Sequence, residues 1–424
     1  MAGKPLERVF GKASAGAFVV GTVVGTGIYL KPSIVARLLA EPWQVLLLWA
    51  VAGVFVTSGA VVYSHLARVW PENGGAYLYL HRVYGPWAAS LLLAADVFLA
   101  RPAAVGALSY GLGLIWQLPT GQCLALAMTT LAVLTLLQLA GARVQGVGQT
   151  ALTVLQLLPL LGVLLLAFFE QPSSPIRSTS GDSPVAWGGA FLAVLWAYDG
   201  WYNLTNLSGE VEEPDRNLPL ALIGGMGFVT ALYLAVNAVL LHSLGMPALS
   251  RHSLPLLALL EEWGLSWLGT GIQVALSTAL LATLNGTQAC GSRVMVAAAK
   301  DGLLHSRLGQ DPTKPVPTLA FSFYCLGILA LFGGLPLSGN LFDILTEFTA
   351  VVVLLLSNLT VTCLFRADKL RTQIPGVAYA AATVYLLANT WLAWLLVQEA
   401  NLMAALGAVG VLIVGTFLWV GRQR

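Results

Sequence analysis

The chain has 424 residues, 57% of them hydrophobic and only 9% charged, with a formal net charge of +2 and a mean hydropathy of +0.79. A soluble domain carries about 25% charged residues, so the composition excludes a globular enzyme with a membrane tail and defines a polytopic membrane protein. With no basic run and no RNA-binding aromatic pattern in the sequence, nucleic acid is excluded as a partner.

A membrane-spanning helix needs about 20 mostly apolar residues. On that rule the chain is all-α, with twelve predicted spans at 14–39, 43–66, 86–116, 121–140, 147–169, 186–208, 218–244, 266–297, 318–335, 339–365, 375–397 and 401–421. Pro71, Pro86, Pro119, Pro184, Pro219, Pro317 and Pro375 lie at or near their ends, where a missing N–H costs least. The short linkers imply one membrane domain over 1–424. Met1 to Lys12 is basic and leads into a segment too long for a signal-peptide core, so it is expected to be retained.

The first span contains Val24-Gly25-Thr26-Gly27-Ile28. Two glycines around a threonine weaken a helix at mid-depth. Such a stretch either lets neighbouring helices pack closely or unwinds where it lines a cavity. An unwound stretch aims free N–H groups at an anion and free C=O groups at a cation. A second break follows in span 6, at Tyr198-Asp199-Gly200-Trp201. Five spans separate the two, so they enter the membrane from opposite sides. Interrupted helices at matching places in antiparallel halves point to an inverted-repeat transporter. The expected organisation is a first five-helix repeat in 1–170, a second, inverted repeat in 184–366, and helices 11 and 12 in 373–424. All Lys and Arg residues of the loops fall on the side of the N-terminus except Arg37, Arg177 and Arg251, which places both termini in the cytoplasm of a cell (inner or plasma) membrane.

Ionisable groups inside spans are expensive and mark functional candidates. Asp199 sits in the second break and either meets a cationic group of the substrate or satisfies freed backbone N–H groups. Asp96 and Arg101 in span 3 are five positions apart, which is not an i,i+4 spacing, and read as pairing with other helices rather than as a proton relay. Asp343 and Glu347, one turn apart at the outer start of span 10, either lie near water or belong to a gate or vestibule, and Lys31 can snorkel to the outer interface. Span 8 is rich in small polar groups, with Ser277, Thr278, Thr283, Asn285, Thr287, Gln288 and Ser292. These either glue helices together or line a pathway. Cys123, Cys290, Cys325 and Cys363 have no metal or disulfide spacing and read as packing thiols. The five histidines form no H-E-x-x-H motif, which argues against a membrane-embedded metalloenzyme. No metal and no cofactor is expected.

The run Trp196-Ala197-Tyr198-Asp199-Gly200-Trp201, followed by Glu210, Pro214, Arg216, Asn217, Leu218 and Pro219, resembles the span-6 signature of the L-type amino acid transporters, bacterial-type members of the amino acid–polyamine–organocation superfamily. Gly25-Thr26-Gly27-Ile28-Tyr29 with Pro32 resembles that family's first-span motif. Pro71 with Gly74 to Tyr77, and Leu284-Asn285-Gly286 through Arg293 to Gly302, resemble its loop after span 2 and its span 8. The likeness covers spans 1 to 8 by motif and the remainder by hydropathy.

The resemblance implies a LeuT-like fold of two inverted five-helix repeats with broken helices 1 and 6. It implies an amino acid substrate whose carboxylate sits on N–H groups of Thr26, Gly27 and Ile28 beside Gly25. The ammonium would meet carbonyls near Val23 and at Trp196, Ala197 and Asp199, next to Tyr198. Trp196 stands where the family has an aromatic lid. Gln156, Tyr202, Asn203 and Asn285 are the gate or coupling candidates. Many bacterial relatives have a lysine where this chain has Gln156, and a neutral amide cannot shuttle a proton as an amine can. That departure favours exchange over proton coupling. Animal relatives join a heavy subunit through a cysteine after span 3; here the loop is only Gln117 to Gln122, so no disulfide-linked partner is expected. The reading is an amino acid exchanger working by alternating access. Its alternatives are a polyamine or amine carrier, a proton-coupled amino acid symporter, and a sensor that binds without transport.

Overall fold

The computed structural model describes residues 7–169, 186–309, 315–333, 356–366, 374–399 and 415–416. These are mainly helical, and the one β-type contact among them is an isolated bridge between Phe10 and Val211. Among the described residues six helices are long and apolar enough to cross a membrane, and a bent pair supplies a seventh span.

The bent pair is α1 (Lys12–Val23) and α2 (Gly27–Leu38), which meet at 41°. Then come α3 (Pro42–Val69), the short α4 (Ala76–Tyr84), α5 (Pro86–Ile115), α6 (Thr120–Leu139) and α7 (Ala142–Leu166). The second interrupted span is α8 (Trp187–Ala197) followed by α9 (Trp201–Glu210), a 3₁₀ segment. Beyond it lie α10 (Pro214–Ser243), α11 (Gly245–Arg251), α12 (Pro255–Glu262), α13 (Gly269–Lys300), α14 (Pro315–Gly333), α15 (356–366) and α16 (Gly376–Glu399).

The predicted spans 1 to 9 and 11 correspond to these helices with ends displaced by a few residues. Span 10 is described only over 356–366 and span 12 only over 415–416, so Asp343 and Glu347 lie outside the described residues. The linker after span 7 forms α11 and α12, and α11 packs on α2. Both carry an internal or leading proline, Pro247 and Pro255, and a proline in the first turn leaves no helical N–H unsatisfied.

At the centre, α1 packs against α7, α13, α9 and α10, and α2 runs along α8. Glycines permit the close approaches. A Cβ on Gly21 would collide with Thr153 of α7, one on Gly286 with Thr22, and one on Gly53 with Thr230.

Candidate functional site

The two helix breaks lie against each other. Val24 leaves the helical region at φ −72°, ψ 72°, and Gly25 N–H turns back to the Val23 carbonyl at 2.7 Å. Opposite, Gly200 adopts φ +97°, a left-handed conformation that glycine alone takes without strain. A Cβ there would stand 2.7 Å from the Thr22 carbonyl oxygen. The Thr22 hydroxyl lies 3.2 Å from the Gly200 carbonyl oxygen, one of three acceptors within its reach beside the carbonyls of Phe18 and Val19. A Cβ on Gly27 would meet the Ala197 Cα at 2.4 Å. Both readings of the first-span glycines therefore have a counterpart: Gly27 permits close packing, and the chain around Gly25 is unwound.

The polar groups at this junction differ in sign. Gly27 and Ile28 open α2, so their N–H groups have no intrahelical acceptor, and the positive end of the α2 dipole lies there. Val23 and Ala197 close α1 and α8, so their carbonyls are at negative ends. The Tyr233 hydroxyl of α10 lies 3.0 Å from each of these two carbonyl oxygens. A hydroxyl has one proton, so it satisfies only one of them at a time. Tyr233 is a site residue that sequence reasoning misses; a lone tyrosine in an apolar span carries no local signal. Tyr233→Phe removes the donor with little change of volume. The expected outcome is a folded protein whose amino acid uptake falls about tenfold, the effect of about 1.4 kcal/mol for a hydrogen bond to a partial charge; uptake kinetics beside a thermal melt check this.

The predicted site residues distribute around the junction. Asp199 is exposed while Tyr198 and Gly200 on either side are buried, and Gly25, Thr26 and Trp196 are half-buried. The Tyr198 ring instead packs with Trp49 and Tyr233, at centroid distances of 5.9 and 5.0 Å, and its hydroxyl donates to the Trp49 carbonyl at 3.2 Å. Lys31 does not simply snorkel outward: its ammonium lies 4.4 Å from the centroid of the Trp196 ring.

The gate and coupling candidates fall into two groups. Gln156 reaches α1 just before the break, its Nε2 3.4 Å from the Gly21 carbonyl. Asn285 Nδ2 donates to Gln149 Oε1 at 2.8 Å, tying α13 to α7. On the other flank, Asn203 Oδ1 accepts from Arg101 Nη1 at 3.1 Å, and Tyr202 shares a small cavity with Asp96, Arg101 and Asn206.

Asp96 and Arg101 correct the sequence reading in part, since Arg101 does reach another helix through Asn203. They pair with each other, Arg101 Nε to Asp96 Oδ2 at 2.8 Å. Residues Leu93–Ala100 form a π-helical stretch of α5, whose i→i+5 bonding brings positions five apart onto one face.

A second ion pair is buried near the segment that precedes α1. Arg293 of α13 is 5% exposed and Glu210 at the end of α9 is 3% exposed. Nε donates to Oε1 at 2.9 Å and Nη2 to Oε2 at 3.1 Å. Asn73 and Gln145 extend the network from the loop after α3 and from α7. The segment before α1 is bound to the same place, with Val9 and Phe10 N–H groups 2.8 and 3.0 Å from the Glu210 carbonyl. Counting cations by side of the membrane places Arg293 with those of the inner loops; it is instead buried within a span. An arginine in an apolar helix and an acid at a helix end are the sequence signal that could have found this pair.

Among the described residues no cluster of His, Cys, Asp and Glu is placed to hold a metal. All four cysteines are buried and free, and the Cys123 thiol donates to the Leu118 carbonyl at 3.2 Å.

A helical membrane protein with two interrupted helices back to back is of the class that holds small solutes at mid-membrane. The family model described as amino acid permease matches residues 10–422, and the chain belongs to that family. It is 30% identical over 244 residues to the serine/threonine exchanger SteT of Bacillus subtilis, a match spanning 56% of each chain. It is 28% identical over 351 residues to the b(0,+)-type amino acid transporter 1 of Homo sapiens, covering 78% of this chain and 70% of that one. It is also 28% identical over 354 residues to the large neutral amino acids transporter small subunit 2 of Rattus norvegicus, covering 78% and 65%. The resemblance read from the motifs is thus carried by nearly the whole chain, and the relatives named are transporters.

Proposed function

We propose that this protein moves amino acids across a membrane by alternating access, as an exchanger. The observation that carries the reading is the junction of the two breaks. N–H groups at the start of α2 and carbonyls at the ends of α1 and α8 converge, a charge pattern suited to a zwitterion. The carboxylate would rest on the N–H groups of Thr26, Gly27 and Ile28. The ammonium would turn to the carbonyls of Val23, Trp196, Ala197 and Asp199, with Tyr233 yielding one of its two acceptors. Trp196 would cover the substrate, and Tyr198 would act through its backbone. The Arg293–Glu210 pair would hold shut the side of the N-terminus.

The full organisation is twelve helices, with inverted repeats in 1–170 and 184–366 and helices 11 and 12 in 373–424. Family membership and the antiparallel broken spans support it. The cation distribution supports cytoplasmic termini in an inner or plasma membrane. The exchange reading is supported by Gln156, a neutral amide beside Gly21, and by an exchanger among the relatives. A buried, hydrogen-bonded Cys123 supports the absence of a disulfide-linked subunit.

Counterflow in proteoliposomes tests the reading. Purified protein is loaded with unlabelled amino acids and challenged with labelled serine, arginine and leucine, with and without proton or sodium gradients. Uptake that requires internal amino acid and ignores the gradients is expected. Gradient-driven uptake into empty vesicles would replace exchange by symport. Accumulation of amines without a carboxylate would remove the assignment to Thr26, Gly27 and Ile28.

A further inference from the structure

The outer half-helices α2 and α8 are joined along their length. At the break, Gly27 and Ala197 are in backbone contact. At the far end, Ala186 N–H donates to the Leu38 carbonyl at 3.0 Å. Lys31 lies between these ends, four residues after Gly27 and so on the same face of α2. Its ammonium is held 4.4 Å from the centroid of the Trp196 ring, in the last turn of α8 before the break. Both residues are half-buried. A cation over an indole face is attracted by the ring quadrupole, more strongly when water is partly excluded.

We infer that Lys31 is a positioning residue: its ammonium fixes the Trp196 ring in the orientation that closes over a substrate entering from the side Lys31 faces. The inference rests on the transport reading above. The contact holds one orientation of a large ring beside the junction of the two breaks. Without the charge, the lysine stem can still fill space, but the ring has no electrostatic reason to keep its face toward α2. The lost contact then falls on the affinity seen from that side. Lys31 and Trp196 are apart from the Arg293–Glu210 pair and the Phe10–Val211 bridge, which the transport reading assigns to the opposite side.

Three variants, K31M, K31R and W196L, and the double variant K31M/W196L, test this in vesicles of known sidedness with labelled serine and leucine. K31M keeps the stem and removes the charge. It is expected to raise the half-saturation concentration from the Lys31 side about fivefold to tenfold, leaving the maximal rate and the opposite side unchanged. K31R keeps a cation that stacks well on indole and is expected to restore wild-type values. In the W196L background, K31M is expected to add nothing. Wild-type values in K31M, equal impairment in K31R, equal shifts on both sides, or an undiminished effect in W196L would each overturn the proposal. The contact is also read without transport. Reductively methylated Lys31, assigned through K31R, should show an upfield ring-current shift in its methyl NMR signal that W196L removes. A signal unaffected by W196L overturns the placement. A shift present in a protein that gives no counterflow would count against the transport reading while leaving the clasp in place.

Discussion

Arg293→Ala is expected to be among the most damaging single substitutions in this protein. It leaves the Glu210 carboxylate, 3% exposed, without the guanidinium that bonds both of its oxygens. Removing one partner of a buried pair costs roughly 3–5 kcal/mol, because the remaining charge stays desolvated. Asn73 still donates to Glu210, but one neutral amide does not neutralise a charge. The damage reaches the chain ahead of α1 if Glu210 shifts, since its main-chain carbonyl accepts from the Val9 and Phe10 N–H groups. Glu210→Gln should be milder than Glu210→Ala, as an amide keeps one acceptor for Arg293. The double substitution Glu210→Leu with Arg293→Met removes both charges at similar volume and is expected to recover most of the stability. It should not recover exchange if, as proposed, the pair holds shut the side of the N-terminus. Thermal unfolding in detergent, read beside counterflow, separates these effects. A melting curve for Arg293→Ala unchanged from wild type would show that the pair is not desolvated.

Gly200→Ala is expected to abolish transport while adding only one methyl group. Two costs coincide at this residue. A non-glycine residue at φ +97° is strained by roughly 1–2 kcal/mol. The new Cβ would also stand 2.7 Å from the Thr22 carbonyl oxygen, which belongs to backbone and cannot rotate away as a flexible side chain would. The two breaks must then separate, and the Thr22–Gly200 and Tyr233 contacts stretch with them. Gly16→Ala is the matched control. It lies in α1, and a Cβ at that position has nothing within 4 Å, so the change should be neutral or stabilising by up to about 1 kcal/mol. Equal activity in both variants would mean that the junction tolerates separation, and that its close contact is incidental to function.

The places where the helices break are legible from sequence because glycine acts locally. Gly25, Gly27 and Gly200 weaken a helix whatever surrounds them, so the interruptions in spans 1 and 6 can be located without a partner in view. Span positions are legible for the same reason: a run of about 20 apolar residues has one inexpensive environment. Family motifs then carry the substrate class further than composition does.

Partners are another matter. Asp96 and Arg101 sit at a spacing that an α-helix keeps apart, and only the π-helical turn of α5 pairs them. Glu210 and Arg293 are 83 positions apart, and Tyr233 reaches carbonyls 210 and 36 positions away. Hydropathy and helix breaking are properties of short stretches, so a helical membrane protein with two interrupted spans follows from the order of residues. Which break meets which, which charge neutralises which, and which hydroxyl stands between the two helix ends depend on the folded chain. Buried polar groups are satisfied by whatever the fold brings near, and proximity in the fold has no counterpart in distance along the chain.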